Sequence, residues 1–268
     1  MCSINHDLKA IFIHIPKTAG SYMADILHKH YGFKNYYLTR PDHLAFCKSH
    51  DSSIKSHENK IHGTLIYYKT SPYCNQVMNM TPEKWDTYYK FCFVRNPYDK
   101  IVSGWNYVNK HQLPFIKYLK NPFQKNCWDY WHVLMPQVRH IINEKGKIGV
   151  DFIGKYEDLE EDLERVLQHL HLQKKHKPFK KNSRHHQPFF VYYNPIILQH
   201  VNKLLNEDFL HLEQYKKTET IQEFIKEFYP SSSSSSKSSS SSSTSDVGHS
   251  TLSDVGEPDE LISSSLSS

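Results

Sequence analysis

The sequence predicts an α/β domain with a central parallel sheet flanked by helices. Three observations carry this reading. Two nearly continuous apolar runs, Ile11–Ile15 and Phe91–Val94, are each followed by a chain breaker and then a helical pattern. A third strand–helix pair follows at Asp151–Leu170. The runs are too uniformly apolar for burial on one face, as in parallel sheets covered on both sides.

Taken in order, Ile11-Phe12-Ile13-His14-Ile15 reads as a buried strand and Pro16–Gly20 as its breaker. Ser21–Tyr31 places Tyr22, Met23, Ile26, Leu27 and Tyr31 near helical spacing, with Gly32 as the stop. Phe91–Val94 is a second strand, and Asn96-Pro97 supplies an N-cap and first turn for a helix to about Val108. Trp128–Asn143 is a further helix. Asp151–Tyr156 is a strand, and Glu157–Leu170 an amphipathic helix with Leu159, Leu163, Val166, Leu167 and Leu170 on one stripe. Asn194-Pro195 opens a helix to about Leu205, and Glu219–Phe228 is the last. Asn35–Lys90 and Leu172–Phe190 are poorly patterned; insertions of this kind collect at the ligand end of an α/β sheet.

At 268 residues and 38% hydrophobic, the chain can bury one sizeable core, which we assign to a single catalytic domain over 1–230. Residues 231–268 are Ser runs ending in an acidic segment, in which Ser-Asp-Val-Gly occurs twice; this tail is expected to be disordered. It carries Lys237 against five acidic residues, so the rest of the chain holds 32 Lys and Arg against 23 Asp and Glu. The domain is thus more basic than the whole-chain +5 suggests, which favours an anionic ligand.

The five Cys follow no pairing motif and read as free thiols of a reducing compartment. The 19 His show no metal-ligand spacing, so no metal is expected. The first strand arrives within ten residues, leaving no room for a secretory apolar region, and no run is long enough to span a bilayer. The expected location is the cytoplasm.

The strongest local signal is His14-Ile15-Pro16-Lys17-Thr18-Ala19-Gly20-Ser21, between a strand and a helix. Small residues let the backbone curl with its amides inward, the helix start adds its positive end, and Lys17 adds a full charge. Pro16, Lys17, Thr18, Ala19, Gly20 and Ser21 would cradle a phosphate. The loop is not a Walker A motif, because its Lys precedes the Gly; the plainer reading is a β–α turn with a surface Lys.

The second signal is Phe93-Val94-Arg95-Asn96-Pro97-Tyr98-Asp99-Lys100-Ile101-Val102-Ser103. Arg95 sits at the carboxyl end of a buried strand, and Ser103 lies about 9 Å along the following helix. Both could reach one phosphate, Arg95 with a fork and Ser103 with a hydroxyl. The competing reading pairs Arg95 with a carboxylate and leaves Ser103 incidental.

Together, strand–HIPKTAG–helix followed by strand–RNPxxxxxS–helix closely resembles the sulfotransferases that use 3′-phosphoadenosine 5′-phosphosulfate (PAPS), in particular the heparan and chondroitin carbohydrate branch. Thr81–Tyr98, Asp151–Leu163 and Tyr192–Tyr215 extend the resemblance over about residues 10–216. It implies a P-loop-like domain, PAPS as donor, a 5′-phosphosulfate site in the first loop and a 3′-phosphate site at Arg95 and Ser103. It further implies a hydroxyl acceptor, most readily a carbohydrate, and sets a secretory-pathway lumen beside the cytoplasm as a location. Tyr22 departs from the family, which commonly places a second hydroxyl there.

Transfer needs a base for the acceptor hydroxyl and a cation at the departing bridge oxygen. Lys17 suits the second role. His62, in His62-Gly63-Thr64, stands where relatives place a His and is the leading base; His43, His50 and Glu58 are rivals. The basic run Lys174–His186 reads either as a solvated loop, or as a closure over the donor by Asn182, Ser183 and Arg184, or as a seat for an acidic glycan. It contains no nucleic-acid module. The alternatives to transfer are a non-catalytic nucleotide-binding protein on the same fold and a P-loop nucleotide kinase.

Overall fold

Among the described residues, five strands form the sheet: β1 Cys2–Asn5, β2 Ala10–Ile13, β3 Lys34–Tyr36, β4 Tyr89–Val94 and β5 Phe152–Lys155, in the order β3-β1-β2-β4-β5. They belong to a computed structural model that describes residues 1–36, 63–108, 113–120, 133–178 and 187–229. Met1–Pro230 is one compact unit, and Ser231–Ser268 lies outside the described residues.

The α/β class expected from the sequence is present, with one correction to the sheet. Only β2, β4 and β5 run parallel; β1 pairs antiparallel with both β2 and β3. The reason is chain length. Four residues, His6–Lys9, join β1 to β2, enough for a reversal and far too few for a crossover.

The helices are α1 Gly20–Tyr31, α2 Leu65–Thr70, α3 Pro72–Met78, α4 Pro82–Thr87, α5 Pro97–Val108, α6 Phe115–Lys120, α7 Leu159–His169, α8 Pro195–Leu204, α9 Asn206–His211 and α10 Ile221–Phe228. One expected helix, Trp128–Asn143, is not formed over its described residues, 133–143. Residues 128–132 of the predicted Trp128–Asn143 helix lie outside the described set, and the later part of that segment holds a 3₁₀ turn, Gln137–His140. Pro136 immediately precedes this turn, and a proline inside a helix removes a donor and clashes with the preceding turn.

The sheet buries both faces, as its apolar strands require. Ile4, Ile11, Ile13, Cys92 and Val94 pack against Tyr68 of α2, Cys74 of α3 and Trp85 of α4. Phe12, Phe91 and Phe93 point the other way, against Met23 and Leu27 of α1 and Leu163 and Leu167 of α7. Truncating any of these Phe residues to Ala would cost about 3–5 kcal/mol. A third cluster surrounds Tyr98 of α5, joining Leu198 and Val201 of α8 to Phe224 of α10. Gly32 stops α1 in a left-handed conformation (φ 70°), its N–H bonded back to the Leu27 carbonyl.

Candidate active site

Parallel pairing decides where the two sequence motifs meet. Ile13 of β2 lies opposite Cys92 of β4, so the His14–Ala19 loop and Arg95 leave the sheet at the same edge. Val94 lies opposite Lys155 of β5, which adds Tyr156 and Glu157 to that edge. After β2 the chain crosses to β3 beyond β1, whereas β4 pairs on the other side of β2. This divergence is the switch point at which open α/β sheets hold ligands.

The loop is tightly folded. Thr18 is buried, and its hydroxyl donates to the Ile15 carbonyl at 2.9 Å. Lys17 and Ala19 both take positive φ (68° and 62°), a region that costs about 1–2 kcal/mol per non-glycine residue. α1 then begins with no side-chain cap and no acidic residue in its first turn, among the described residues. Its early amides therefore face outward without a carboxylate competing for them. Gly20 closes the turn. A Cβ there would sit 1.8 Å from Cδ2 of the buried His14 ring, so no larger residue fits beside His14.

Arg95 is only 8% exposed. Its Nε donates to Asp99 Oδ2 at 2.7 Å, its Nη2 is ion-paired with the same oxygen at 2.7 Å, and its Nη1 donates to the Lys17 carbonyl at 3.2 Å. The guanidinium carbon lies 4.1 Å from the Tyr156 ring centroid. Arginine has five N–H donors, so two remain uncommitted among the described residues. The carboxylate partner weighed from the sequence thus exists, and it orients the fork rather than consuming it.

Helix α5 joins the two motifs. Asp99, Ser103 and Tyr107 recur every four residues and so share one face. Asp99 holds Arg95 at one end of that face, and at the other the Lys17 ammonium lies 3.9 Å from the Tyr107 ring centroid. Ser103, half-buried, occupies the position between them. The structure therefore brings Lys17 and Arg95 together at the Pro16–Ser21 loop and places Ser103 on the α5 face between their partners Asp99 and Tyr107. His62, Ser183 and Arg184 lie outside the described residues, as do His43, His50, Glu58 and Asn182.

The neighbours of those residues are visible. Gly63 is buried; its N–H donates to the Tyr68 hydroxyl at 3.1 Å, and its carbonyl lies 3.4 Å from Nδ1 of the buried His140. Lys174, at the start of the basic run, is held by Glu164 at 2.6 Å and Glu160 at 3.0 Å. It is thus already neutralised, which argues against its receiving an acidic glycan. Tyr22, the departure from the family pattern, donates to the Lys177 carbonyl at 3.2 Å and approaches Glu160 at 3.5 Å. Desolvation, with Glu160 beside it, pushes the Tyr22 hydroxyl up to about 12, so it is a neutral donor at ordinary pH.

Asp99, Tyr107 and Tyr156 were not singled out from the sequence. The first two had a usable signal, a four-residue step from Arg95 and from Ser103. Tyr156 could be placed only once β5 was known to pair with β4. Among the described residues, no group of three or more His, Cys, Asp or Glu could hold a metal, and no helix is long and apolar enough to cross a membrane.

At the carboxyl edge of this α/β sheet, Lys17, Arg95 and the uncapped start of α1 lie together, an arrangement suited to an anion. Comparison with known families makes this specific: the chain belongs to the sulfotransferase family, whose model matches residues 2–229. A protein of Archaeoglobus fulgidus, described only as uncharacterized, is 38% identical over 87 residues, covering 32% of this chain and 71% of that protein. No solved structure matches the chain.

Proposed function

We propose that this sulfotransferase moves a sulfuryl group from PAPS to a carbohydrate hydroxyl. The observation that carries the proposal is the convergence of Lys17 and Arg95, from separate strand–helix units, through the Arg95–Lys17 carbonyl contact. PAPS carries anionic groups at two ends, and the site offers two cationic ends about one helix face apart. The first is the curled loop with its uncapped helix start, suited to a 5′-phosphosulfate. The second is the Arg95 fork with the Ser103 hydroxyl, suited to a 3′-phosphate.

In this reading Arg95 keeps Asp99 as its orienting partner and presents its uncommitted N–H groups to the 3′-phosphate. Lys17 leaves the Tyr107 face, a contact worth about 0.5–1 kcal/mol at an exposed site, for the bridging oxygen. There it stabilises the charge that collects as the oxygen–sulfur bond breaks. The acceptor hydroxyl forms the new bond to sulfur, and its proton goes to a base, a role assigned from the sequence to His62. Balance is complete: adenosine 3′,5′-bisphosphate, the sulfate ester and one proton leave. The carbohydrate acceptor rests on the resemblance of the two motifs to that branch of the family.

The test is binding of adenosine 3′,5′-bisphosphate to the wild type and to Arg95→Ala. The wild type should bind it, and Arg95→Ala should lose most of that affinity. Equal binding by both would remove the 3′-phosphate assignment.

A further inference from the structure

Behind Arg95 lies a buried polar network that the transfer chemistry does not use. Gln137, in the 3₁₀ turn, is 0% exposed. Its Oε1 accepts from the Arg95 backbone N–H at 2.8 Å, and its Nε2 donates to the Arg95 carbonyl at 2.8 Å. One side chain thus satisfies both main-chain groups of the residue at which β4 leaves the sheet. The ladder cannot do so, because β5 contributes its last contact through Tyr156 N–H to the Val94 carbonyl. Two backbone groups buried there without partners would be costly.

The clamp is itself held. Gln137 Nε2 also lies 3.3 Å from Asp208 Oδ2, and Asp208 Oδ1 accepts from the Val138 N–H at 2.9 Å. Lys100 of α5, 1% exposed, donates to the Val133 and Met135 carbonyls at 2.8 and 2.7 Å and balances the buried Asp208 charge. Burial lowers this ammonium to about 8. β4, α5, the 3₁₀ turn and α9 therefore meet at one point beneath Arg95.

We infer that Gln137 is the positioning residue that sets Arg95 for its anionic ligand, an inference that rests on the donor reading above. A primary amide is the group that can accept from one main-chain N–H while donating to both a carbonyl and a carboxylate. A carboxylate at 137 keeps the acceptor but cannot donate while ionised, and it would face Asp208. A thioether keeps the volume and loses every bond.

The test compares full-length wild type, Gln137→Met and Gln137→Glu by two measurements. One is amide hydrogen exchange at Arg95, with Phe91–Phe93 as the internal control. The other is calorimetric binding of adenosine 3′,5′-bisphosphate across pH. In Gln137→Met the Arg95 amide should exchange at least about tenfold faster while Phe91–Phe93 stay protected, and affinity should fall about tenfold or more. Gln137→Glu should approach wild-type affinity at acidic pH, where its carboxyl is protonated and can donate to the Arg95 carbonyl. It should lose affinity as pH rises, because ionisation sets it against Asp208; Lys100 and Arg95 are the other charges facing it. Unchanged Arg95 exchange, or a Gln137→Glu affinity that follows wild type at every pH, overturns the inference. If Gln137→Met does not fold, the Gln137→Glu pH profile decides. Failure of the wild type to bind the bisphosphate would instead count against the donor reading, and Arg95 exchange would still judge the clamp.

Discussion

Arg95 Nη1 donates to the main-chain carbonyl of Lys17 across 3.2 Å, although 78 residues separate them. The contact exists because β2 and β4 run parallel and end at the same edge. It makes the loop conformation depend on the second motif. With PAPS as donor, the two ends of its site are therefore coupled rather than independent.

Arg95→Ala should lower bisphosphate affinity by about a hundredfold, and Arg95→Lys should restore little of it. A lysine cannot reproduce the fork that holds Asp99 and the Lys17 carbonyl while presenting further N–H groups. Stability should fall by about 1–3 kcal/mol in Arg95→Ala, because the largely buried Asp99 loses its partner. Calorimetry and thermal denaturation check the two effects separately.

Lys17→Ala should behave differently. Its ammonium meets the exposed ring of Tyr107, so the melting temperature should hardly move. The turnover number should drop by about 10²–10³, the usual cost of removing one donor from a developing oxyanion. Single-turnover kinetics on saturated enzyme would show whether the loss lies in the chemical step.

Gly20→Ala should weaken donor binding and destabilise the fold by about 1–3 kcal/mol, since the new methyl would overlap the His14 ring. His14→Ala opens that space. The double variant should therefore be less impaired than the sum of the two single changes, and a double-mutant cycle in thermal stability measures the difference. Strict additivity would mean that the ring moves aside freely.

His176 supplies a pH prediction. Its buried ring bonds the Tyr31 hydroxyl at 2.9 Å, and desolvation holds its pKa below the usual 6.5. The unfolded chain therefore binds the proton more readily than the folded one. Stability contributed by the neutral ring is fully present above pH 6.5 and is lost as pH falls below it. Replacing His176 with Gln should flatten this acid limb in denaturant titrations below pH 6.5.

Much of the site-bearing half was legible because its signals are local. Phe91–Val94 reads as a strand since both faces are buried, and Asn96 caps α5 as expected, its Oδ1 accepting from the Tyr98 N–H at 2.9 Å. The signals that failed are non-local. β1 carries Ser3 and Asn5, which look like loop residues until Ser3 is seen bonded to Asn35 and Asn5 to the Tyr31 carbonyl. Helices α2 to α4 are six or seven residues each, too short to establish a period. Gln137 had no signal at all, because its role is defined by the backbone of a residue 42 positions away.

The central claim is sulfuryl transfer from PAPS at Lys17. Its most direct test is incubation of the full chain with radiolabelled PAPS and a mixed panel of glycans, phenols and peptides, alongside Lys17→Ala. Label is expected on a glycan with the wild type, and at about a hundredth of that rate or less with Lys17→Ala. Label reaching no acceptor, or reaching one equally well with Lys17→Ala, would contradict the claim.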